Sequence, residues 1–308
     1  MTTPTRSPAG LVYGLAAYGF WGLMPLYFYV VADVNPVELL AHRIVWCVVL
    51  LAGLMTLFRQ WSEVWACLRR PKTCGLLAAS TVLIAVNWYA FIVGVSTRQV
   101  VQNSLGYFIN PLFSILLGVV VLGERLRPAQ WLALALASAG LAYLIVEAGA
   151  VPRIALALAT SFSLYGLVRK VVHVDSLLGL TVETLFLAPV AASALIFWAA
   201  RGELTFGTLG TTVDLAVLGS GAATAAPLLC FGVAARRLPL STLGFLQYLA
   251  PTLQFLIAVF VLGESFRPEQ RVGFPLIWSA LLIVTVDALL ARRTRRREDA
   301  PSPVAEVT

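Results

Sequence analysis

The chain has 308 residues, of which 59 % are hydrophobic and only 12 % charged, with a formal net charge of +7. So few charges cannot cover that much apolar surface in water, which excludes a soluble domain and implies a polytopic α-helical membrane protein. The basic residues sit in short connections between apolar stretches, as membrane topology demands, so the positive charge does not call for a nucleic acid partner.

Ten spans are predicted, at 10–31, 37–58, 73–95, 103–122, 129–147, 152–171, 178–199, 213–235, 242–262 and 269–291. Their breaks are marked by Asn35-Pro36, Arg70-Pro71, Arg127-Pro128, Pro152, Pro239 and Arg267-Pro268. The first span holds Tyr18, Trp21 and Pro25 on one face and reads as a true span, since no small-residue cleavage site follows it. The second opens with Asn35-Pro36-Val37-Glu38, an N-cap, a proline at the first helical position and a glutamate at the third, which makes Glu38 a cap. Arg43 lies roughly 10 Å deeper at 1.5 Å per residue. At that depth it either anchors an anionic solute group or pairs with a buried acid.

The third span offers Asn87, Trp88 and Tyr89. The fourth carries Asn103, Tyr107, Asn110 and Ser114 at helical spacing on one face, with Pro111 among them. The sixth offers Ser161 and Tyr165, and the seventh holds Glu183, the deepest acid and a candidate proton carrier that could instead pair with Arg43 or Lys170. The eighth runs through small residues from Gly219 to Pro227, a surface that lets a neighbour approach closely. The ninth carries Gln247, Tyr248, Pro251 and Gln254. In the tenth, Asp287 can snorkel toward Arg292, and the tail 292–308 is basic, then rich in proline and glutamate. Cys47, Cys67, Cys74 and Cys230 have no metal or disulfide spacing, and His42 and His173 are the only histidines. No metal, cofactor or catalytic triad is expected, and hence no enzyme.

Residues 111–130 recur at 251–270 with half of the positions identical, through Leu122-Gly123-Glu124 and Leu262-Gly263-Glu264 to Arg127-Pro128 and Arg267-Pro268. The offset pairs Tyr107 with Gln247, Pro111 with Pro251 and Ser114 with Gln254. Basic residues place both termini in the cytoplasm, with sixteen inside against six outside, so each half has five spans and the second is inverted. The predicted divisions are a cytoplasmic N-terminus 1–9, repeats at 10–147 and 148–291, and the cytoplasmic tail 292–308. Paired mid-span prolines flanked by amides mark a central site in such folds; the alternative is that the amides only bond helix to helix.

Several strings resemble a known family. Trp21-Gly22, Arg43 and the repeated Leu-Gly-Glu loops resemble the EamA branch of the drug/metabolite transporter superfamily. Ala41-His42-Arg43, Asn87-Trp88, Ser104 to Pro111, Val174 to Leu177, Ala234 to Leu238, Gln247-Tyr248 and Pro251-Thr252 resemble its RarD subfamily. The resemblance implies ten helices in two EamA repeats, the inner membrane and solute permease activity.

The resulting expectation is an all-α permease, monomeric or homodimeric, whose partners are a small organic solute and membrane lipids. Arg43, Asn87, Trp88, Tyr107, Asn110, Tyr165, Gln247, Tyr248 and Gln254 would contact the solute. Pro111 and Pro251 would bend their helices, and Glu183 would carry a coupling proton. A lipid flippase and a non-transporting sensor are the rival readings.

Overall fold

The computed structural model describes residues 8–97, 100–147, 153–263 and 270–298. Arg98, the repeated loop at 264–268 and the tail beyond 298 lie outside them. The described residues are helical, with short connections and no strand. Eight helical segments, one of them the interrupted Leu240–Phe260, are long and apolar enough to cross a membrane, and a shorter apolar one runs Leu105–Val120. In hydrocarbon every backbone N–H and C=O must find a partner within its own segment, which is why apolar composition of this length becomes helix.

The helices are α1 (Pro8–Val30), α2 (Pro36–Leu57), α3 (Trp61–Leu68), α4 (Pro71–Ser96), α5 (Val100–Val120), α6 (Pro128–Glu147), α7 (Arg153–Val171), α8 (Ser176–Arg201), α9 (Thr211–Arg237), α10 (Leu240–Gln247), α11 (Leu249–Phe260) and α12 (Gln270–Glu298). Each predicted span coincides with a helix, with two differences. The connection after α2 contains α3, a short helix that buries Val64 and Cys67. The ninth span is broken into α10 and α11 at Tyr248. Pro251 explains the break, because it has no N–H to give the carbonyl of Gln247 and its ring crowds that carbonyl. Pro111, its counterpart, stays inside the continuous α5. There α10 lies against α5 so closely that a Cβ on Gly244 would stand 2.7 Å from the carbonyl oxygen of Pro111.

The described chain forms two compact units. In the larger, α1 packs on α9 and α11, α2 on α8 and α9, α4 on α7, and α5 on α7 and α10. Glu124, from the first Leu-Gly-Glu loop, holds the start of α10. It accepts from Leu240 N at 2.6 Å, Ser241 N at 2.8 Å and Ser241 Oγ at 2.6 Å. A carboxylate there satisfies the free N–H groups of the helix start and opposes its dipole. Glu38 does similar work elsewhere. Its oxygens accept from Thr205 N, Thr205 Oγ1 and Phe206 N at 3.0–3.1 Å, so it clamps the connection before α9. The cap of α2 itself is Asn35, which accepts from Val37 N at 2.9 Å.

In the smaller unit, α6 and α12 pack together. A Cβ on Gly140 would meet the carbonyl oxygen of Gly273 at 3.0 Å, so that glycine permits the close crossing. Gln130 reaches back to accept from Arg127 N at 2.9 Å, closing the first turn of α6. Asp287 pairs with Arg127.

The duplication also shows in helix starts. Asn35 Oδ1 accepts from Val37 N and Asp175 Oδ1 from Leu177 N, each at 2.9 Å. These caps are 140 positions apart, the offset of the repeat. Eight residues beyond them lie Arg43 and Glu183, so these two charged residues occupy equivalent places.

Candidate functional site

A cavity of about 450 Å³ lies within the larger unit, walled by α1, α2, α4, α5, α7, α9, α10 and α11. It runs from the connection around Ala32 and Val34 inward to Tyr18, Trp21 and Phe162. Of the residues predicted from sequence, Arg43, Asn87, Trp88, Tyr107, Asn110, Gln247, Pro251 and Gln254 line it. Tyr165, Tyr248, Pro111 and Glu183 do not. Tyr165 and Tyr248 are buried behind the wall, each 1 % exposed.

Some polar residues on the wall are committed to neighbouring helices. Asn87 Nδ2 donates to Leu158 O at 2.9 Å and Ser161 Oγ at 3.2 Å, tying α4 to α7. Asn110 Oδ1 accepts from Ser163 Oγ at 2.6 Å, and Ser114 meets the same hydroxyl at 3.2 Å, tying α5 to α7. Gln254 Nε2 donates to Trp21 O at 2.9 Å and fixes α11 to α1. The helix-bonding role weighed for these amides is therefore present, and the same residues also face the cavity.

Arg43 and Gln247 differ from these in leaving polar side-chain atoms unpaired. Arg43 Nε donates to Thr224 Oγ1 at 3.0 Å, and its guanidinium carbon lies 5.7 Å from the Trp88 ring centroid and 6.0 Å from that of Phe28. Rings at that distance favour a cation over their faces. Gln247 is buried beside the Tyr18 hydroxyl, yet its Oε1 and the Tyr18 oxygen make no well-formed hydrogen bond.

The inner end of the cavity is closed by aromatic rings. Trp21 stands 5.5 Å from Tyr18, 5.4 Å from Phe162 and 5.8 Å from Phe231, and Tyr165 stacks on Phe231 at 5.9 Å. Behind this floor lies a buried polar node. Glu183 accepts from Ser80 Oγ at 2.6 Å, Tyr165 Oη at 3.2 Å and Arg169 Nη1 at 3.4 Å. The Arg169 and Glu183 side chains are each 1 % exposed. Arg169 Nη2 also donates to Ser176 O at 3.3 Å, and a Cβ on Gly232 would stand 2.8 Å from that nitrogen. Of the alternatives for Glu183, neither Arg43 nor Lys170 is its partner. Lys170 instead donates to the carbonyls of Ala235 and Leu238 near Glu124.

Sequence reasoning missed Arg169, Ser80 and Thr224, while it placed Tyr18 on one face of the first span with Trp21 and Pro25. Arg169 stands next to Lys170 at the end of a span and reads as an ordinary loop charge. The signal available was glycine at 179 and 232, which make room for the guanidinium.

The EamA-like transporter family model matches residues 8–146. The chain is 45 % identical to an uncharacterized transporter of Vibrio cholerae, over 96 % of this chain and 98 % of that one. It is 43 % identical to protein RarD of Streptomyces exfoliatus over 100 % of this chain and 98 % of the other, and 44 % identical to RarD of Escherichia coli over 92 % and 96 %. A solved protein structure superposes with a TM-score of 0.71 at 22 % identity, covering 94 % of this chain and 100 % of that one, a likeness of fold.

Proposed function

We propose that this chain, which belongs to the RarD subfamily of the EamA-like transporters, moves a small organic solute across the inner membrane by alternating access. That it is a multi-pass membrane transporter follows from the family and from its apolar helices. The solute, the mechanism and the membrane are the proposal. The observation that carries it is the cavity itself. Its walls come from both halves of the chain, it reaches the 31–36 connection at one end, and rings backed by a buried ion pair close the other.

In this reading the repeats 10–147 and 148–291 rock about the cavity. Access from the side of the 31–36 connection alternates with access past the aromatic floor, and the Arg169–Glu183 node is the closed gate of the present state. Arg43, Asn87, Trp88, Tyr107, Asn110, Gln247 and Gln254 contact the solute. The break at Tyr248 lets α10 and α11 move separately, with Pro251 keeping that joint weak. The basic connections set both termini in the cytoplasm, so the cavity faces outward and the gate inward. Coupling to protons runs through Glu183, which already accepts three hydrogen bonds and takes a proton only when its pair with Arg169 opens.

Metabolite profiling of cells and medium tests this, comparing a deletion strain with strains expressing wild type or Gln247→Ala. The expected result is a small organic solute redistributed by wild type, with flux about tenfold lower for Gln247→Ala, the scale of one lost hydrogen bond. No redistributed solute, or equal flux from the variant at equal abundance, would refute the proposal.

A further inference from the structure

The cavity wall also restricts the charge of what it holds, and this step rests on the permease reading above. Among the described residues lining the cavity, Arg43 is the single ionised one. No described acid lines the cavity, and Asp33, in the connection at its mouth, is exposed and outside the lining. Glu38 holds the backbone of Thr205 and Phe206, and Glu183 is paired with Arg169 at the opposite end, behind the aromatic floor. The titratable groups that act on Arg43 are Tyr27, Tyr107 and Cys47, which are neutral at pH 7 in their ordinary protonation. The guanidinium therefore has hydroxyl and ring partners but no counter-charge in the described protein.

An arginine at membrane depth is costly unless something neutralises it. Thr224 occupies Nε, and the two η nitrogens donate to no described protein group. Those nitrogens form a planar fork that fits a carboxylate through two parallel hydrogen bonds. The flat rings of Trp88 and Phe28 flank the fork. Trp21 continues the aromatic wall toward Gln247, whose Oε1 is buried without a partner.

We infer that the solute is an organic monoanion, a carboxylate or its equivalent on a flat unsaturated body, with a neutral hydrogen-bond donor at its far end. One arginine neutralises one charge, and a second negative charge in this mainly apolar wall has no partner, which disfavours phosphate esters. Inside the cavity a cationic solute meets Arg43 and no acid. The anionic group docks on the Arg43 fork, the body lies along Trp88 and Trp21, and the donor meets Gln247 Oε1.

The test extends the profiling to Arg43→Gln and Arg43→Lys, with membrane abundance and thermal melting of each purified variant as folding controls. The expected solute ionises to a single negative charge at neutral pH. Arg43→Gln lowers its flux by about tenfold to a hundredfold, the range for hydrogen bonds to a charged group. Arg43→Lys keeps the charge without the fork and falls between the two. A redistributed solute that is cationic, zwitterionic or uncharged, carried undiminished by folded Arg43→Gln, overturns the charge inference and leaves the permease standing. If no solute is redistributed by wild type, the permease reading fails and this inference fails with it.

Discussion

Glu183→Ala is expected to destabilise the protein by about 3–5 kcal/mol, the cost of removing one partner from a buried ion pair. Arg169 stays in place with 1 % of its side chain exposed, and Gly179 and Gly232 hold neighbouring backbone against its guanidinium. The charge cannot turn to water, and the Ser176 carbonyl alone is a poor substitute for a carboxylate. Tyr165 loses its acceptor in the same step, and Ser80 keeps only the carbonyl of Leu77. Glu183→Gln costs less, because the amide oxygen still accepts from Ser80. The double change Arg169→Met with Glu183→Leu recovers most of the loss by replacing the pair with apolar volume. Thermal unfolding of the purified variants orders them: alanine lowest, glutamine next, then the double variant near wild type. A double variant no more stable than Glu183→Ala would show that the node is not held together as a pair.

The second large effect is at Gly221, where α9 crosses α2. A Cβ there would stand 2.5 Å from the carbonyl oxygen of Trp46 and 2.7 Å from the amide of Cys47. Both are main-chain atoms of a packed helix, so no rotamer change relieves the overlap. Gly221→Val must force α2 and α9 apart, which costs about 1–3 kcal/mol or more for overpacking alone. The damage reaches the cavity because Arg43 and Thr224 bridge the same two helices one turn away. Lower abundance in the membrane and loss of transport are expected together. Gly219→Ala, two residues earlier with open space around the added carbon, should be neutral in both measurements. A fully active Gly221→Val would mean that α2 and α9 do not cross as closely as described.

Much of the fold was legible because a bilayer leaves few choices. Apolar length and proline breaks fixed the spans, and the repeated proline marked Pro111 and Pro251 alike as places to bend, though only the helix of the second is interrupted. That α5 stays whole while its counterpart breaks was not legible, since the difference lies in how α10 packs against Pro111. The cavity wall was largely readable from amides and aromatics at helical spacing. Tyr165 and Tyr248 were harder to place, because a tyrosine at such a spacing suits a cavity or the packing behind it equally well. Arg169 could not be told from a loop arginine without knowing that Glu183 faces it across two helices. The roles of Glu38 and Glu124 were hidden for the same reason. Each caps backbone more than a hundred positions away.

The most direct measurement of alternating access is the accessibility of single cysteines, introduced after Cys47, Cys67, Cys74 and Cys230 are replaced, to a membrane-impermeant maleimide applied from each side. Phe28→Cys reports on the cavity wall, and Ser176→Cys reports behind the aromatic floor, where wild-type Ser176 is 2 % exposed. The expected result is that Phe28→Cys labels from the side of the 31–36 connection and Ser176→Cys from the side of the 59–72 loop. Adding Glu183→Gln, which weakens the gate, should raise the second rate and lower the first. Rates that do not move in opposite directions, or a Ser176→Cys never labelled from the 59–72 side, would contradict alternating access through this cavity.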